Sequence, residues 1–219
     1  APLPPALFER CASLLGAPPL ERYGITEGGV AVSTPYDGPR QAGRVGHPLP
    51  GVEVRLGAEA EILLRGGQVF GGYWRNPAAT AEVLEDGWLR TGDAGELGAD
   101  GSLAIRGRLK ELIISGGLNI HPREVEAVLE EHPAVAEVAV AGLPSERWGE
   151  QVTAFVVARE PVDEEELIAH ARAHLAPYKC PRAVRFVASL PRNALGKVRR
   201  SELVEGDVPS RPPRQREGH

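Results

Sequence analysis

Pro122-Arg123-Glu124-Val125-Glu126-Ala127-Val128-Leu129 and, just beyond, Ala134-Val135-Ala136-Glu137-Val138-Ala139-Val140-Ala141 read as a helix running into a strand. Proline suits the first helical turn, where its missing N–H would have no partner anyway. Val125, Val128 and Leu129 share one helical face. Pro133 ends the helix, and the pattern then alternates, with Val135, Val138 and Val140 prominent. Working outward, residues 111–115 form a short apolar strand upstream, and residues 151–158 form another downstream. Asp163 followed by Glu166 resembles a capping box, and Leu167, Ile168, Ala171 and Leu175 make the buried stripe of a second helix. Residues 183–187 supply the last strand. The order β-α-β-β-α-β predicts an α/β (α+β) unit with its helices on one face of a sheet. Its size, about 90 residues, suits a complete small domain.

The upstream half has a different texture. Residues 3–15 suit a short helix after Pro4-Pro5. Val52-Glu53-Val54-Arg55-Leu56 and Ala60-Glu61-Ile62-Leu63-Leu64 read as strands, and residues 74–84 as a short helix. Asp86-Gly87 marks a turn, and Asp100-Gly101 a hairpin. This β-rich half shows no obvious partner layer of its own. The texture changes after Gly107, which places a boundary there.

Composition bounds the function. Twenty-five basic residues stand against 30 acidic ones, a formal net charge of -5. A nucleic-acid partner would call for a basic excess, so none is expected. No apolar run is long enough to span a membrane. Cys11 and Cys180 form no CxxC pair, which argues against a disulfide or zinc framework. A cytoplasmic location fits these features. His170 and His174 stand at i and i+4 on the predicted second helix, and a zinc site would need a further ligand. They are expected to face solvent.

Three strings carry chemistry. Tyr23-Gly24-Ile25-Thr26-Glu27 puts a hydroxyl beside a carboxylate. Arg90-Thr91-Gly92-Asp93 holds an Asp in what reads as a tight turn, and an Asx-type turn is the plainer alternative. Pro191-Arg192-Asn193-Ala194-Leu195-Gly196-Lys197 offers one flexible cation beside a glycine. Together, in this order, they resemble the AMP-forming acyl-CoA synthetases, the superfamily that includes luciferases and peptide-synthetase adenylation domains. The resemblance runs from Ala1 to about Leu203 and matches the C-terminal half of these enzymes.

The resemblance implies a large nucleotide-binding domain, incomplete here, over residues 1–107. It implies a hinge over residues 108–111 and a small mobile domain over residues 112–203, while a composition rich in Pro, Arg and Gly predicts a disordered tail over residues 204–219. It implies ATP, Mg²⁺ and CoA as cofactors. Tyr23 and Gly24 would then lie beside the adenine, Thr26 would bond a phosphate oxygen, and Glu27 would help hold Mg²⁺. Mg²⁺ commonly takes one or two carboxylates and leaves its other positions to phosphate and water. Asp93 would accept the ribose hydroxyls, with Arg108 beside it. Lys110 falls at the family's hinge position. Gly116 and Gly117, in Ser115-Gly116-Gly117-Leu118-Asn119-Ile120, would line the pantetheine tunnel, although a plain turn fits the string equally. Lys197 would stabilise charge while pyrophosphate leaves ATP. Thr26, Glu27 and Lys197 are therefore the catalytic candidates.

Arg22, directly before Tyr23, is similar to the position at which malonyl-CoA synthetases bind the distal carboxylate of their acid. That points to malonate or methylmalonate, although Gly28-Gly29-Val30 departs from that subfamily's pattern. Arg22 reads equally as a surface ion-pair partner. The family's Ser/Thr/Gly-rich phosphate loop ending in Lys does not occur in the 219 residues. The expected partners are ATP or AMP, a small carboxylic acid, CoA and the N-terminal half of the same enzyme. Alone, the chain is expected to be inactive. Loading of a carrier protein instead of CoA, or a non-catalytic binding role, are the competing readings.

Overall fold

The computed structural model describes residues 3, 5–194 and 196–206. The chain divides into two compact units, between Lys110 and Glu111.

The first unit opens with helix α1 (Pro5–Leu15). Strands β1 (Arg22–Ile25), β2 (Gly29–Ser33) and β3 (His47–Pro48) form one antiparallel sheet in that order. A second sheet holds β4 (Val52–Leu56), β5 (Glu61–Gly66), β6 (Leu84–Glu85), β7 (Trp88–Leu97) and β8 (Leu103–Arg108). Its order is β4-β5-β7-β6, with β8 also on β7. Helix α2 (Pro77–Val83) precedes β6; the Asn76 side chain caps it by accepting from the Ala79 N–H, and Pro77 fills the first turn. Asp86 and Gly87, both at positive φ, make the two-residue hairpin between β6 and β7. Ala31, Val32, Ile62, Leu64, Leu89 and Leu103 form the core.

One expectation is corrected here. Thr91-Gly92-Asp93 is not a turn between elements but part of β7. Gly92 sits at φ +68 while pairing continues on both sides, so the strand bulges without ending. An added Cβ would meet nothing within 4 Å, so the backbone angle alone calls for glycine. Glu61 staples the bulge: one carboxylate oxygen accepts from the Gly92 N–H at 3.0 Å and the other pairs with Arg90 at 3.0 Å.

The second unit starts from β9 (Ile113–Ser115) and β10 (Leu118–Ile120), a hairpin whose second strand the periodicity does not signal. Then come α3 (Pro122–Glu130), β11 (Val135–Ser145), β12 (Gly149–Ala158), α4 (Glu164–His174), β13 (Ala183–Phe186) and α5 (Arg200–Glu205). β12 lies between antiparallel β11 and parallel β13 and touches β9 at one residue pair. Val138, Val140, Val152 and Val156 meet Val125, Leu129, Leu167 and Ala171 of α3 and α4 on one face. Ala139, Ala141 and Phe155, alternate residues of the same strands, form another cluster with Leu203 of α5. The expectation of helices on one face therefore holds for α3 and α4 only, because α5 closes the other. Val204 and Glu205, expected in a disordered tail, end this helix. Residues 207–219, the rest of that expected tail, lie outside the described residues.

The Asp163 side chain caps α4, accepting from the Glu166 N–H at 2.8 Å. Asp163→Ala should cost about 1 kcal/mol of stability, read by urea unfolding of the chain. His174 is exposed, as expected, but His170 is half-buried. Its Nε2 lies 3.0 Å from the Val128 carbonyl oxygen, because α4 packs on α3.

Candidate active site

The first unit brings together residues from three separate strings. β1 and β2 are joined by a turn over residues 26–28. Alternation along β1 turns Tyr23 into the core and leaves Arg22 and Gly24 exposed. The Tyr23 hydroxyl donates to Asp93 Oδ2 at 2.7 Å. Arg108, opposite Asp93 across the β7–β8 ladder, places Nε 2.7 Å from Asp93 Oδ1. Burial, then the Asp93 charge, pushes the Tyr23 phenol far above its ordinary range, so it stays a donor. Asp93 is buried, and a buried carboxylate needs such a partner. A carboxylate accepts hydrogen bonds from hydroxyls at either oxygen.

Thr26 is exposed on the turn, and Glu27 beside it is half-buried. Glu27 Oε1 accepts from the Tyr73 hydroxyl at 2.7 Å. Its other oxygen takes no protein partner among the described residues. A half-exposed carboxylate with one such oxygen suits a hard cation such as Mg²⁺. Arg22 forms no ion pair among the described residues.

The second unit carries the other candidates. Lys197 follows Gly196, at φ +77, in a tight loop. The Lys197 N–H donates to Asn193 Oδ1 at 3.0 Å, and Asn193 N–H donates back to the Lys197 carbonyl at 2.9 Å. Arg192 clamps the loop, donating to the Gly196 carbonyl and pairing with Glu137 at 2.6 Å. Leu195, within this string, lies outside the described residues. Lys197 itself is exposed and forms no ion pair among the described residues. Three residues on, Arg200 pairs with buried Glu126 at 2.7 Å and with Glu111 at 2.6 Å. This fastens the Lys197 loop to α3 and to the start of the unit.

Gly116 and Gly117 form the β9–β10 turn, at φ +59 and +79. A Cβ on Gly116 would come within 3.2 Å of the Trp148 ring, so the turn packs directly on that indole. Lys110 is exposed, within a 3₁₀ turn over Leu109–Glu111.

Sequence reasoning missed Tyr73, Glu61 and the Arg200–Glu126 pair. Tyr73 follows Gly71-Gly72, where no periodicity marks it. Glu61 and Glu126 sit on otherwise buried faces of β5 and α3; a carboxylate on such a face was the available signal.

Comparisons with known proteins identify the family. The AMP-binding enzyme family matches residues 1–74, and the AMP-binding enzyme C-terminal domain matches residues 124–197. The chain belongs to the AMP-forming acyl-CoA synthetase superfamily of AMP-binding enzymes. It is 41% identical to a long-chain-fatty-acid–CoA ligase of Bacillus subtilis, over 95% of this chain and 40% of that protein. Among solved structures it resembles ATP-bound MatB from Rhodopseudomonas palustris, with a TM-score of 0.88 at 39% identity. That likeness covers 94% of this chain and 44% of the other. It also resembles O-succinylbenzoate coenzyme A synthetase (MenE) from Bacillus subtilis in complex with AMP, with a TM-score of 0.82 at 34% identity. There it covers 93% of this chain and 44% of the other. The chain thus spans well under half the length of these relatives. No helix among the described residues is long and apolar enough to cross a membrane.

Proposed function

We propose that this chain is the C-terminal portion of an ATP-dependent acyl-CoA synthetase acting on a small dicarboxylic acid, malonate or methylmalonate. The observation that carries the reading is the Tyr23–Asp93–Arg108 cluster, assembled from three distant strings into one polar site. In the first half-reaction the acid's carboxylate oxygen attacks the α-phosphorus of ATP. The bond to pyrophosphate breaks, leaving an acyl adenylate. In the second, the CoA thiolate attacks the acyl carbon and AMP departs.

Each residue has a defined task. Asp93 accepts the ribose hydroxyls, held in place by Tyr23 and Arg108. Tyr23 and Gly24 flank the adenine, and Thr26 donates its hydroxyl to a phosphate oxygen. Glu27 helps hold Mg²⁺, which when bound neutralises phosphate charge. Lys197 supplies a cation as charge builds at the α-phosphate. Lys110 is the hinge on which the second unit turns between half-reactions, and its place at the division between units supports this. Gly116 and Gly117 give the pantetheine arm close access to backbone. The phosphate loop is supplied from outside these 219 residues, so the chain alone forms no acyl adenylate.

Arg22 decides the acid. It is exposed beside Tyr23, and its guanidinium forms no ion pair among the described residues. A planar guanidinium binds a carboxylate through two parallel hydrogen bonds. A long hydrocarbon tail would gain nothing from it. The test is pyrophosphate exchange by the full-length protein containing this chain, with malonate, methylmalonate and a long-chain fatty acid. The dicarboxylates should be preferred, and Arg22→Ala should raise their KM about tenfold to a hundredfold, since such bonds contribute about 1.5–3 kcal/mol. A preference for the fatty acid that Arg22→Ala leaves unchanged would overturn this assignment. Transfer to a pantetheinyl carrier protein and not to CoA would overturn the choice of acceptor.

A further inference from the structure

We propose that Tyr73 is a positioning residue: its hydroxyl ties down one oxygen of Glu27 so that the other is presented to the metal and phosphates. The inference rests on the reading of Glu27 given above. The Glu27 side chain has three rotatable bonds and stands on a hairpin turn, where nothing in β1 or β2 fixes its carboxylate. Tyr73 supplies that constraint through a 2.7 Å bond to Oε1. A hydrogen bond to an ionised acceptor is shorter and stronger than a neutral one.

Tyr73 is itself held from two sides. Its N–H donates to Thr80 Oγ1 at 2.9 Å, and that hydroxyl donates to the Asn76 carbonyl at 2.9 Å. Its ring meets Phe70 edge to face, with centroids 4.9 Å apart. The Phe70 N–H donates to the Glu27 backbone carbonyl at 2.8 Å. One loop therefore grips Glu27 at its main chain and at its carboxylate. The hydroxyl draws some charge from the carboxylate, which opposes cation binding slightly. Ordering a free Glu side chain costs rotamer entropy, and that cost is met before the ligand arrives. Pre-ordering is the larger effect. Partners that orient a metal-binding carboxylate typically alter metal affinity by about tenfold to a hundredfold.

Tyr73→Phe keeps the ring on Phe70 and removes only the oxygen. The test uses the full-length protein containing this chain and follows ATP binding by calorimetry while Mg²⁺ is titrated. Tyr73→Phe should weaken the apparent Mg²⁺ affinity about tenfold. ATP binding without Mg²⁺, and the KM for the acid, should not change. Glu27→Gln should show a larger Mg²⁺ defect, and adding Tyr73→Phe to it should do nothing more. If Glu27→Gln shifts the Mg²⁺ titration and Tyr73→Phe does not, the positioning role falls and the reading of Glu27 stands. If neither shifts it, the metal role of Glu27 falls and this inference falls with it. Equal loss of ATP binding with and without Mg²⁺ in Tyr73→Phe would show a structural role only and would also overturn it.

Discussion

Lys197→Ala, placed in the full-length protein containing this chain, is expected to lower acyl-adenylate formation by a hundredfold or more. Thioester formation from a supplied acyl adenylate should stay near the parent rate. The reason lies in when charge develops. Breaking the bond to pyrophosphate loads negative charge onto bridging and terminal oxygens. An ammonium positioned there stabilises that moment and not the ground state. Removing one such preorganised group costs about 3–4 kcal/mol. The second half-reaction expels AMP from an acyl carbon, and the proposed role gives this cation no part there. The loop around Lys197 is built for delivery of a free side chain. Asn193, Gly196 and Arg192 fix its backbone, and the ammonium makes no ion pair among the described residues. Loss of the side chain should leave that framework standing, because these bonds run through main chain or through Asn193 and Arg192. Stopped assays of the two half-reactions, run separately, provide the measurement. Equal losses in both would remove Lys197 from the chemistry and point to misfolding.

The second unit was largely legible from sequence because its two longer helices each show one clear period. α3 and α4 carry single apolar stripes, and their starts are written in Pro122 and Asp163. β11 and β12 are harder, being buried on both faces, so their alternation is blurred and only their β-branched content marks them. α5 escaped notice because it is six residues long, with a single fully buried side chain, Leu203, to anchor it. The first unit was less legible. Thr91-Gly92-Asp93 has the composition of a turn, and only the ladder to β5 and β8 keeps it in a strand. Local sequence cannot report a tertiary ladder. The same limit applies to the polar site. Tyr23, Asp93 and Arg108 could each be singled out by motif, yet their hydrogen bonds depend on how β1, β7 and β8 are brought together. Tyr73 had no motif to mark it, and its importance comes only from ending 2.7 Å from Glu27.

Lys110→Pro should produce the opposite pattern to Lys197→Ala: thioester formation should fall while adenylation is largely kept. The Lys110 side chain is exposed and forms no ion pair among the described residues, and the role proposed for this position is one of the backbone. In the present structure the residue lies in a 3₁₀ turn, whose φ falls within the range that proline enforces. Proline holds φ within that range, and a conformation that needs a different φ or the Lys110 N–H is closed to it. A turn of the second unit at this position between half-reactions requires such a change, since hinges absorb domain motion in a few backbone angles. Proline against an incompatible backbone costs about 3 kcal/mol, which is about a hundredfold in the population of the second conformation. Lys110→Ala, which removes the same side chain without restricting φ, should leave both half-reactions near the parent rates. Single-turnover measurements on the two variants would separate the effects. If Lys110→Pro slows both half-reactions alike, or if Lys110→Ala reproduces its defect, the hinge does not lie at Lys110.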